Sequence, residues 1–220
     1  MEIREAIQNR RSVRGFLSKE VPKEVIEEVL QLATRAVSGV NLQPWEFAVV
    51  TGEVLDQIKA YNQKAVREQY PEDRTDPEVP GDVFKGRSRE IGKALLSAMQ
   101  ITREDKEKRT WWLERGYRFF DAPVVIYLLM DSVLEETAYR FDMGCVAQNI
   151  CLAAEAYGLG TCVADQAITY QKAAREQLQI GEDKRFVVGI CMGYPDEAFG
   201  ANQVKSTRVK LEENTSWYGF

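Results

Sequence analysis

The sequence feature that most constrains the fold is a run of apolar residues at 122–130 (APVVIYLLM). No polar side chain alternates with the apolar ones, and valine, isoleucine and tyrosine favour strands. A strand with this pattern is buried on both faces, so the run predicts a central strand of a sheet that is covered on both sides. Residues 185–192 (RFVVGICM) predict a second central strand for the same reason.

The rest of the chain predicts helices and shorter strands around these two runs. Prolines and acidic residues over 71–82 indicate an exposed loop. Apolar spacing predicts helices over the first few residues and over 22–37, 53–70, 84–100, 103–118, 134–157 and 169–178, with strands over 45–51 and 161–164. Because helices and strands do not alternate regularly, we expect one α+β domain over residues 1–220, with a mixed sheet flanked by helices.

The residue types that the chain lacks exclude several kinds of site. It contains no histidine, so it cannot form a Ser-His-Asp or Cys-His relay or bind a metal through imidazole. Its four cysteines form no Cys-x-x-Cys pair and lie in apolar runs, which favours buried free thiols over metal or redox chemistry. No paired carboxylates and no nucleophile in a strained turn stand out. An enzyme of this composition would take its chemistry from a bound cofactor.

Charge and hydropathy indicate which partners to expect. Acidic residues outnumber basic ones by 34 to 29, which gives a formal charge of −5 and argues against binding to nucleic acid or to an anionic membrane. The beginning of the chain is charged and has no apolar signal region. The longest apolar stretch, residues 143–154, is too short to span a bilayer. We therefore expect a soluble, cytoplasmic protein.

Three polar segments could bind a ligand. In an extended segment Arg10, Ser12 and Arg14 share one face, where two guanidinium groups and a hydroxyl could hold an anion. A surface ion-pair cluster is the equally weighted alternative. Residues 38–45 (SGVNLQPW) offer amide groups that suit a polar ring system. Residues 205–208 (KSTR) could complete an anion site with Arg10 or could form a solvated tail.

Taken together, these segments resemble the FMN-dependent nitroreductase family from residue 2 to about residue 208. The segments that carry the resemblance are RRSVR at 10–14, SGVNLQPW at 38–45, DAPVVIYLL at 121–129, FDMGCVAQNICLAAEAYGLGTC at 141–162 and GYP at 193–195. Residues 93–109 and 118–123 are similar to the nitrobenzoate-reductase-like branch. The resemblance implies a largely antiparallel sheet in a domain-swapped homodimer, with two FMN sites shared between the subunits.

The resemblance also implies which residues contact FMN. Arg10 and Arg208 would hold the phosphate, and Arg14 would reach the N1/O2 edge, where a positive charge stabilises the anionic reduced flavin. A backbone N–H near Asp165 would bond to N5. The implied FMN contacts are Arg10, Arg11, Ser12, Arg14, Val163, Ala164, Asp165, Gln166, Lys205 and Arg208, with Ser38, Gly39 and Asn41 from the partner subunit.

The implied reaction uses NAD(P)H to reduce nitroaromatics, quinones or similar electron-poor acceptors by ping-pong hydride transfer. It requires no acid or base from the protein and no metal. Residues 84–118 would form a lid, in which Trp111 and Trp112 either stack on an acceptor ring or pack within the lid. Residues 203–220 end in Trp217, Tyr218 and Phe220, and packing as an arm on the partner subunit would cover these aromatic side chains.

Two alternatives to this function remain at the level of the sequence. One is a specialised relative such as a flavin-dependent reductive dehalogenase; the related deiodinase has a Glu-x-x-x-Tyr pair in its lid, and residues 52–121 contain none. The other is a flavin-binding protein without catalytic activity. NAD(P)H would bleach the flavin of an enzyme but not that of such a binding protein.

Overall fold

One four-stranded sheet organises the fold in the computed structural model, which describes residues 1–75 and 78–220. The sheet order is β1-β2-β4-β3. The strands are β1 (Glu46–Thr51), β2 (Val124–Asp131), β3 (Gly160–Ala164) and β4 (Lys184–Gly193). Every pairing between these strands is antiparallel, and an isolated bridge between Ser12 and Thr161 is parallel. The predicted α+β class with a mixed, largely antiparallel sheet is confirmed.

Helices cover both faces of this sheet. They are α1 (Ile3–Asn9), α2 (Lys23–Ala33), α3 (Gly52–Arg67), α4 (Asp82–Ala98), α5 (Lys106–Tyr117), α6 (Glu136–Ala156), α7 (Lys172–Leu178) and α8 (Leu211–Asn214). Short 3₁₀ turns occur at Gly39–Asn41, Phe119–Asp121, Asp165–Ile168 and Gly200–Gln203. None of the helices in the described ranges has the length and apolarity that crossing a lipid bilayer requires.

The core lies on both sides of β2, as the composition of that strand predicts. Ile126 and Leu128 pack with α2 and α6 on one face, and Val125 and Tyr127 pack with α3 and α7 on the other. Full burial of one such side chain contributes about 1.5–3 kcal/mol. Strands β2 and β4 are the two inner strands of the sheet, so both predicted central strands are confirmed.

Several predicted boundaries differ from the structure. Helix α2 ends at Ala33 rather than near residue 37, because the N–H groups of Arg35 and Ala36 bond three residues back and tighten the chain into a turn. Helix α5 begins at residue 106 rather than 103, because the Asp105 side chain accepts the Lys108 N–H at 3.0 Å and caps the helix there.

Three further differences concern the start of α7, the loop before α4 and the tail. Helix α7 begins at residue 172 rather than 169, because the preceding residues 165–168 form a 3₁₀ turn. The predicted loop over 71–82 includes residues 76 and 77, which lie outside the described residues, and α4 begins at its last residue. Helix α8 falls in the tail, for which the sequence predicted no helix.

Candidate active site

A candidate site lies in a cavity of about 510 Å³ between α4, α5 and the segment that follows α1. Its volume suits a small organic ligand. It brings together Arg14, Gln166 and Trp112, three of the residues that the sequence singled out. The lining consists of Arg14, Gly92, Leu95, Leu96, Arg109, Thr110, Trp112, Leu113, Phe120 and Gln166.

Residues 10–14 reach this cavity along the edge of the sheet. Ser12 forms the parallel bridge with Thr161, and the Val13 N–H donates to the Thr161 carbonyl at 2.9 Å. Val13 is buried in the protein. Because successive side chains of an extended segment point to opposite sides, Ser12 and Arg14 point away from the core. The Arg14 N–H donates to Oδ1 of Asn202 at 2.7 Å, which fixes the end of the segment.

The arginines of this segment differ in their partners. Arg11 is bound by both carboxylate oxygens of Glu197, at 2.7 and 2.8 Å. Among the described residues, no carboxylate lies within ion-pair distance of Arg10 or Arg14. The Arg14 guanidinium donates to the Ser12 carbonyl at 3.2 Å and lies 5.8 Å from the centroid of the Phe120 ring. Arg11 therefore fits the ion-pair interpretation, whereas Arg14 keeps its positive charge for an anion. The charge of Arg10 is close enough to the Glu155 carboxylate to favour its ionised form.

The segment Val163–Gln166 follows β3 into a 3₁₀ turn beside the cavity. Val163 is exposed and Ala164 is buried. Asp165 pairs with Arg74, with 3.6 Å between Oδ1 and the guanidinium. Gln166 approaches α5 closely because residue 116 is glycine: a Cβ there would lie 1.8 Å from Oε1 of Gln166.

The loop at 38–45 lies apart from the cavity and is built on strained backbone. Val40, Asn41 and Gln43 all have positive φ angles, of 46°, 59° and 51°. Two of the bonds that hold the loop use side chains as acceptors: the Gly39 N–H donates to Oδ2 of Asp142 at 3.1 Å, and the Gln43 N–H donates to Oγ of Ser38 at 3.0 Å. Within one chain the loop does not line the cavity, so its contact with a cofactor stays a prediction.

Lys205 and Arg208 line a second pocket, of about 550 Å³, against another face of α4. The Arg208 guanidinium donates to Oγ of Ser206 at 2.8 Å and to the Thr207 carbonyl at 2.8 Å. Arg10 is not among the residues that line this pocket. The single chain therefore does not bring Arg10 and Arg208 around one ligand, and their predicted shared phosphate site stays a prediction.

The two tryptophans of α5 occupy different places. Trp112 lines the cavity. Trp111 is 39% exposed, and its ring lies 5.2 Å from the guanidinium carbon of Arg115. Trp112 is thus placed to contact a ligand ring, whereas Trp111 packs on a neighbouring side chain.

Sequence reasoning missed Arg109 and Phe120 as lining residues. Arg109 ends a run of seven charged residues that we interpreted as a solvated face. Arg109 is three and four residues before Trp112 and Leu113, so all three lie on one face of α5. This spacing could have indicated that Arg109 lines the same site as Trp112. Phe120 has a φ of 54°, a conformation that no sequence pattern at this position indicates.

Among the described residues that line the cavity there is no cysteine and no carboxylate, and the Thr110 hydroxyl donates to the Lys106 carbonyl at 3.0 Å. Cys162 and Cys191 are buried, and burial raises the pKa of both thiols, so they stay protonated near neutral pH. Within the part of the chain that the structure describes, no group of three or more cysteine, aspartate or glutamate residues could hold a metal ion. The site therefore provides positive charge, apolar walls and hydrogen-bond donors rather than covalent chemistry.

The fold and the cavity define an α+β protein whose candidate site combines two arginines with apolar walls. The chain belongs to the nitroreductase family, whose model matches residues 7–194. A chloronitrobenzene nitroreductase of Comamonas testosteroni is 34% identical over 219 residues, which cover 98% of this chain and 96% of that protein.

Two solved structures have the same fold over nearly their full length. The FMN and NADPH-dependent nitroreductase NfnB from Sphigopyxis sp. strain HMH superposes with a TM-score of 0.93 at 31% identity, covering 100% of both chains. The FMN-dependent nitroreductase NfnB from Mycobacterium smegmatis in complex with NADPH gives 0.91 at 30% identity, covering 98% of this chain and 97% of that one. The family predicted from the sequence is confirmed.

Proposed function

We propose that this protein is an FMN-dependent oxidoreductase that uses NAD(P)H to reduce nitroaromatics, quinones or similar electron-poor acceptors. The observation that carries the proposal is the convergence of Arg14, Gln166 and Trp112 on one cavity. The first two are implied flavin contacts and the third is an implied acceptor contact. Relatives of the chain that carry names of nitroaromatic reductases support the choice of acceptor.

The donor set fits FMN. No acidic residue is among those that line the cavity, and Arg14 has no carboxylate partner among the described residues. Its charge would face the pyrimidine edge of the flavin, and the segment 163–166 would lie against the dimethylbenzene and N5 side. Arg10, Lys205 and Arg208 would bind the phosphate. Bound FMN would supply the group that accepts a hydride from NAD(P)H and passes it to the acceptor.

The residues of the chain would orient the ligands and restrict water. Trp112, Leu95 and Phe120 provide apolar walls against which a flat ring can stack. Because the lining contains no carboxylate, thiol or imidazole, protons consumed in the reduction would come from water. Nicotinamide donor and aromatic acceptor would occupy the same space in turn, as ping-pong turnover requires.

We propose a homodimer, with Ser38, Gly39 and Asn41 completing the partner's site. Support comes from the apolar side chains that one chain leaves uncovered. Val40 on the 38–45 loop is 99% exposed and Phe141 on α6 is 73% exposed, and the loop is joined to α6 by the bond from the Gly39 N–H to Asp142. At the end of the chain, Trp217, Tyr218 and Phe220 are also exposed, which suits an arm over residues 203–220.

Residues 84–118, with α4 and α5, form the lid in this proposal. The free cysteines, of which Cys151, Cys162 and Cys191 are buried and Cys145 is half-buried, agree with a cytoplasmic location.

An absorption spectrum tests the proposal. The purified protein should show a flavin spectrum that NADPH bleaches under argon and that a nitroarene then restores. The matched variants Arg14→Gln and Arg11→Gln compare FMN binding after loss of a cavity-lining arginine with FMN binding after loss of a neighbouring arginine. Losing a charge-assisted contact costs about 1.5–3 kcal/mol, so Arg14→Gln should weaken FMN binding roughly tenfold or more, and Arg11, already paired with Glu197, should matter less. A yellow protein that NADPH does not bleach would be a binding protein, and a colourless one that takes up no FMN would refute the proposal.

A further inference from the structure

Arg115 is a buried charge that the proposed function does not use. It lies on α5 with 7% of its surface exposed. Its guanidinium pairs with Asp121 at 2.5 Å and stands over the rings of Trp111 and Phe199, at 5.2 and 4.7 Å from their centroids. Burying a charge is costly unless it is paired and hydrogen-bonded. The position of this side chain is therefore tightly determined by its surroundings.

Arg115 also bonds to the backbone of two residues that line the cavity. One of its terminal nitrogens donates to the carbonyl of Arg14 at 2.9 Å and to the carbonyl of Phe120 at 3.0 Å. The side chains of Arg14 and Phe120 face each other at 5.8 Å. Arg115 thus joins the two backbone segments whose side chains meet in the cavity.

The Phe120 segment needs such support. Phe119, Phe120 and Asp121 have φ angles of 59°, 54° and 60°, in the left-handed region that residues with a side chain rarely occupy. Strained backbone of this kind persists where the surrounding structure holds it, and it concentrates at functional sites. Arg115 binds the carbonyl of Phe120 and the carboxylate of Asp121, so it holds two of the three strained residues.

The Arg14 backbone is held from its other end as well. Its N–H donates to Oδ1 of Asn202 at 2.7 Å. Asn202 is 2% exposed, and its amide nitrogen donates to the carbonyls of Gly15 and Asp196, both at 2.8 Å. With Asn202 on one side and Arg115 on the other, the Arg14 backbone has little freedom to shift.

We infer that Arg115 is a positioning residue that fixes the guanidinium of Arg14 against Phe120 and thereby sets the reduction potential and the turnover of the bound flavin. The inference rests on the proposed function, because it assumes that FMN binds beside Arg14. A positive charge that moves away from the flavin stabilises its anionic reduced form less, so loosening Arg115 should make the potential more negative. Displacement of a catalytic constellation by about 1 Å can cost on the order of a hundredfold in rate.

Arg115→Lys is the main test, with Arg118→Lys as its matched control. Lysine keeps the charge but lacks the planar fork that reaches two carbonyls and a carboxylate together. Arg118 pairs with the same Asp121 at 3.0 Å and donates to neither Arg14 nor Phe120. We expect Arg115→Lys to lower kcat on the order of tenfold to a hundredfold, to leave KM for NADPH within about twofold and to shift the FMN potential to a more negative value. Arg118→Lys should change neither kcat nor the potential.

A second variant keeps the inference testable if Arg115→Lys does not fold. Asn202→Ala removes the other bond to the Arg14 backbone without touching Arg115, and it should shift the potential in the same direction. A folded Arg115→Lys enzyme with the potential and kcat of the wild type would overturn the inference, as would equal effects in Arg118→Lys. If Arg115→Lys does not fold and Asn202→Ala leaves the potential unchanged, the inference is also overturned. Wild-type protein that takes up no FMN would instead overturn the proposed function, and the inference with it.

Discussion

Replacing Gly116 by alanine should have two opposite effects: it should favour helix α5 and it should displace Gln166, which lines the cavity. Gly116 lies in the last turn of α5, and alanine is favoured over glycine inside a helix by about 0.8–1 kcal/mol. At this position, however, the new Cβ would lie 1.8 Å from Oε1 and 2.5 Å from Cδ of Gln166. Van der Waals contact begins near 3.4 Å, so the side-chain amide of Gln166 must move by about 1.6 Å.

The size of the effect follows from these two opposing terms. Forcing a side chain away from its preferred rotamer costs about 0.5–1.5 kcal/mol, which offsets most or all of the helix gain. Gly86→Ala is the matched control, because Gly86 lies inside α4 and its added Cβ meets nothing within 4 Å. We expect Gly86→Ala to raise the free energy of unfolding by about 0.5–1 kcal/mol and Gly116→Ala to leave it near the wild-type value.

Urea denaturation and an FMN titration measure both consequences. In a Gln166→Ala background the clash is absent, so Gly116→Ala should then stabilise as much as Gly86→Ala does. The difference is a coupling free energy of about 0.5–1.5 kcal/mol between residues 116 and 166. FMN binding should weaken in Gly116→Ala and not in Gly86→Ala. Equal stabilisation by both substitutions in the wild-type background would show that Gln166 does not lie against α5, and the reasoning would fail.

Three further substitutions test other parts of the molecule. Tyr127→Phe removes a buried hydroxyl that has no hydrogen-bond partner among the described residues. In urea denaturation the variant should therefore be at least as stable as the wild type. A clear loss of stability would mean that the hydroxyl is hydrogen-bonded. Arg109→Gln removes one of the two arginines that line a cavity without carboxylates. The KM for a carboxylated nitroarene should therefore rise while the KM for nitrobenzene stays unchanged, and an equal rise in both KM values would contradict this prediction. Burial raises the pKa of Glu155 despite the nearby arginines, so the native state keeps the proton to higher pH than the unfolded chain does and stability falls as pH rises between the two pKa values. The denaturation midpoint of Glu155→Gln should therefore equal that of the wild type at low pH and exceed it at pH values above both pKa values. A difference in midpoint that is the same at every pH would refute the raised pKa of Glu155.

The sequence predicted the sheet well because burial on both faces leaves a direct signature. Residues 122–130 and 185–192 contain no polar alternation, and both became inner strands. Helix ends were predicted less well, since they depend on single groups rather than on a pattern. The Asp105 side chain starts α5 three residues later than the apolar spacing suggested, and no periodicity reports such a cap.

The candidate site was predicted in part. Arg14, Gln166 and Trp112 came from motifs within short segments, and they converge on one cavity. Arg115 could not be found in this way, because its bond to the Arg14 carbonyl joins residues 101 positions apart. The resemblance also implies contacts across two subunits, such as those of Ser38 and Arg208, and a single chain does not test these contacts.

The chemistry of the candidate site depends on an apolar residue that does not line the cavity. Val13 is 1% exposed, and it can pack there because residue 160 is glycine: a Cβ on Gly160 would lie 2.5 Å from Cγ2 of Val13. Burial of Val13 fixes the register of the extended segment, since a slip of one residue turns every side chain to the opposite side. In the native register Arg14 lines the cavity, whereas Arg11 pairs with Glu197. Which arginine can serve an anionic ligand is therefore decided by the packing of the valine between them.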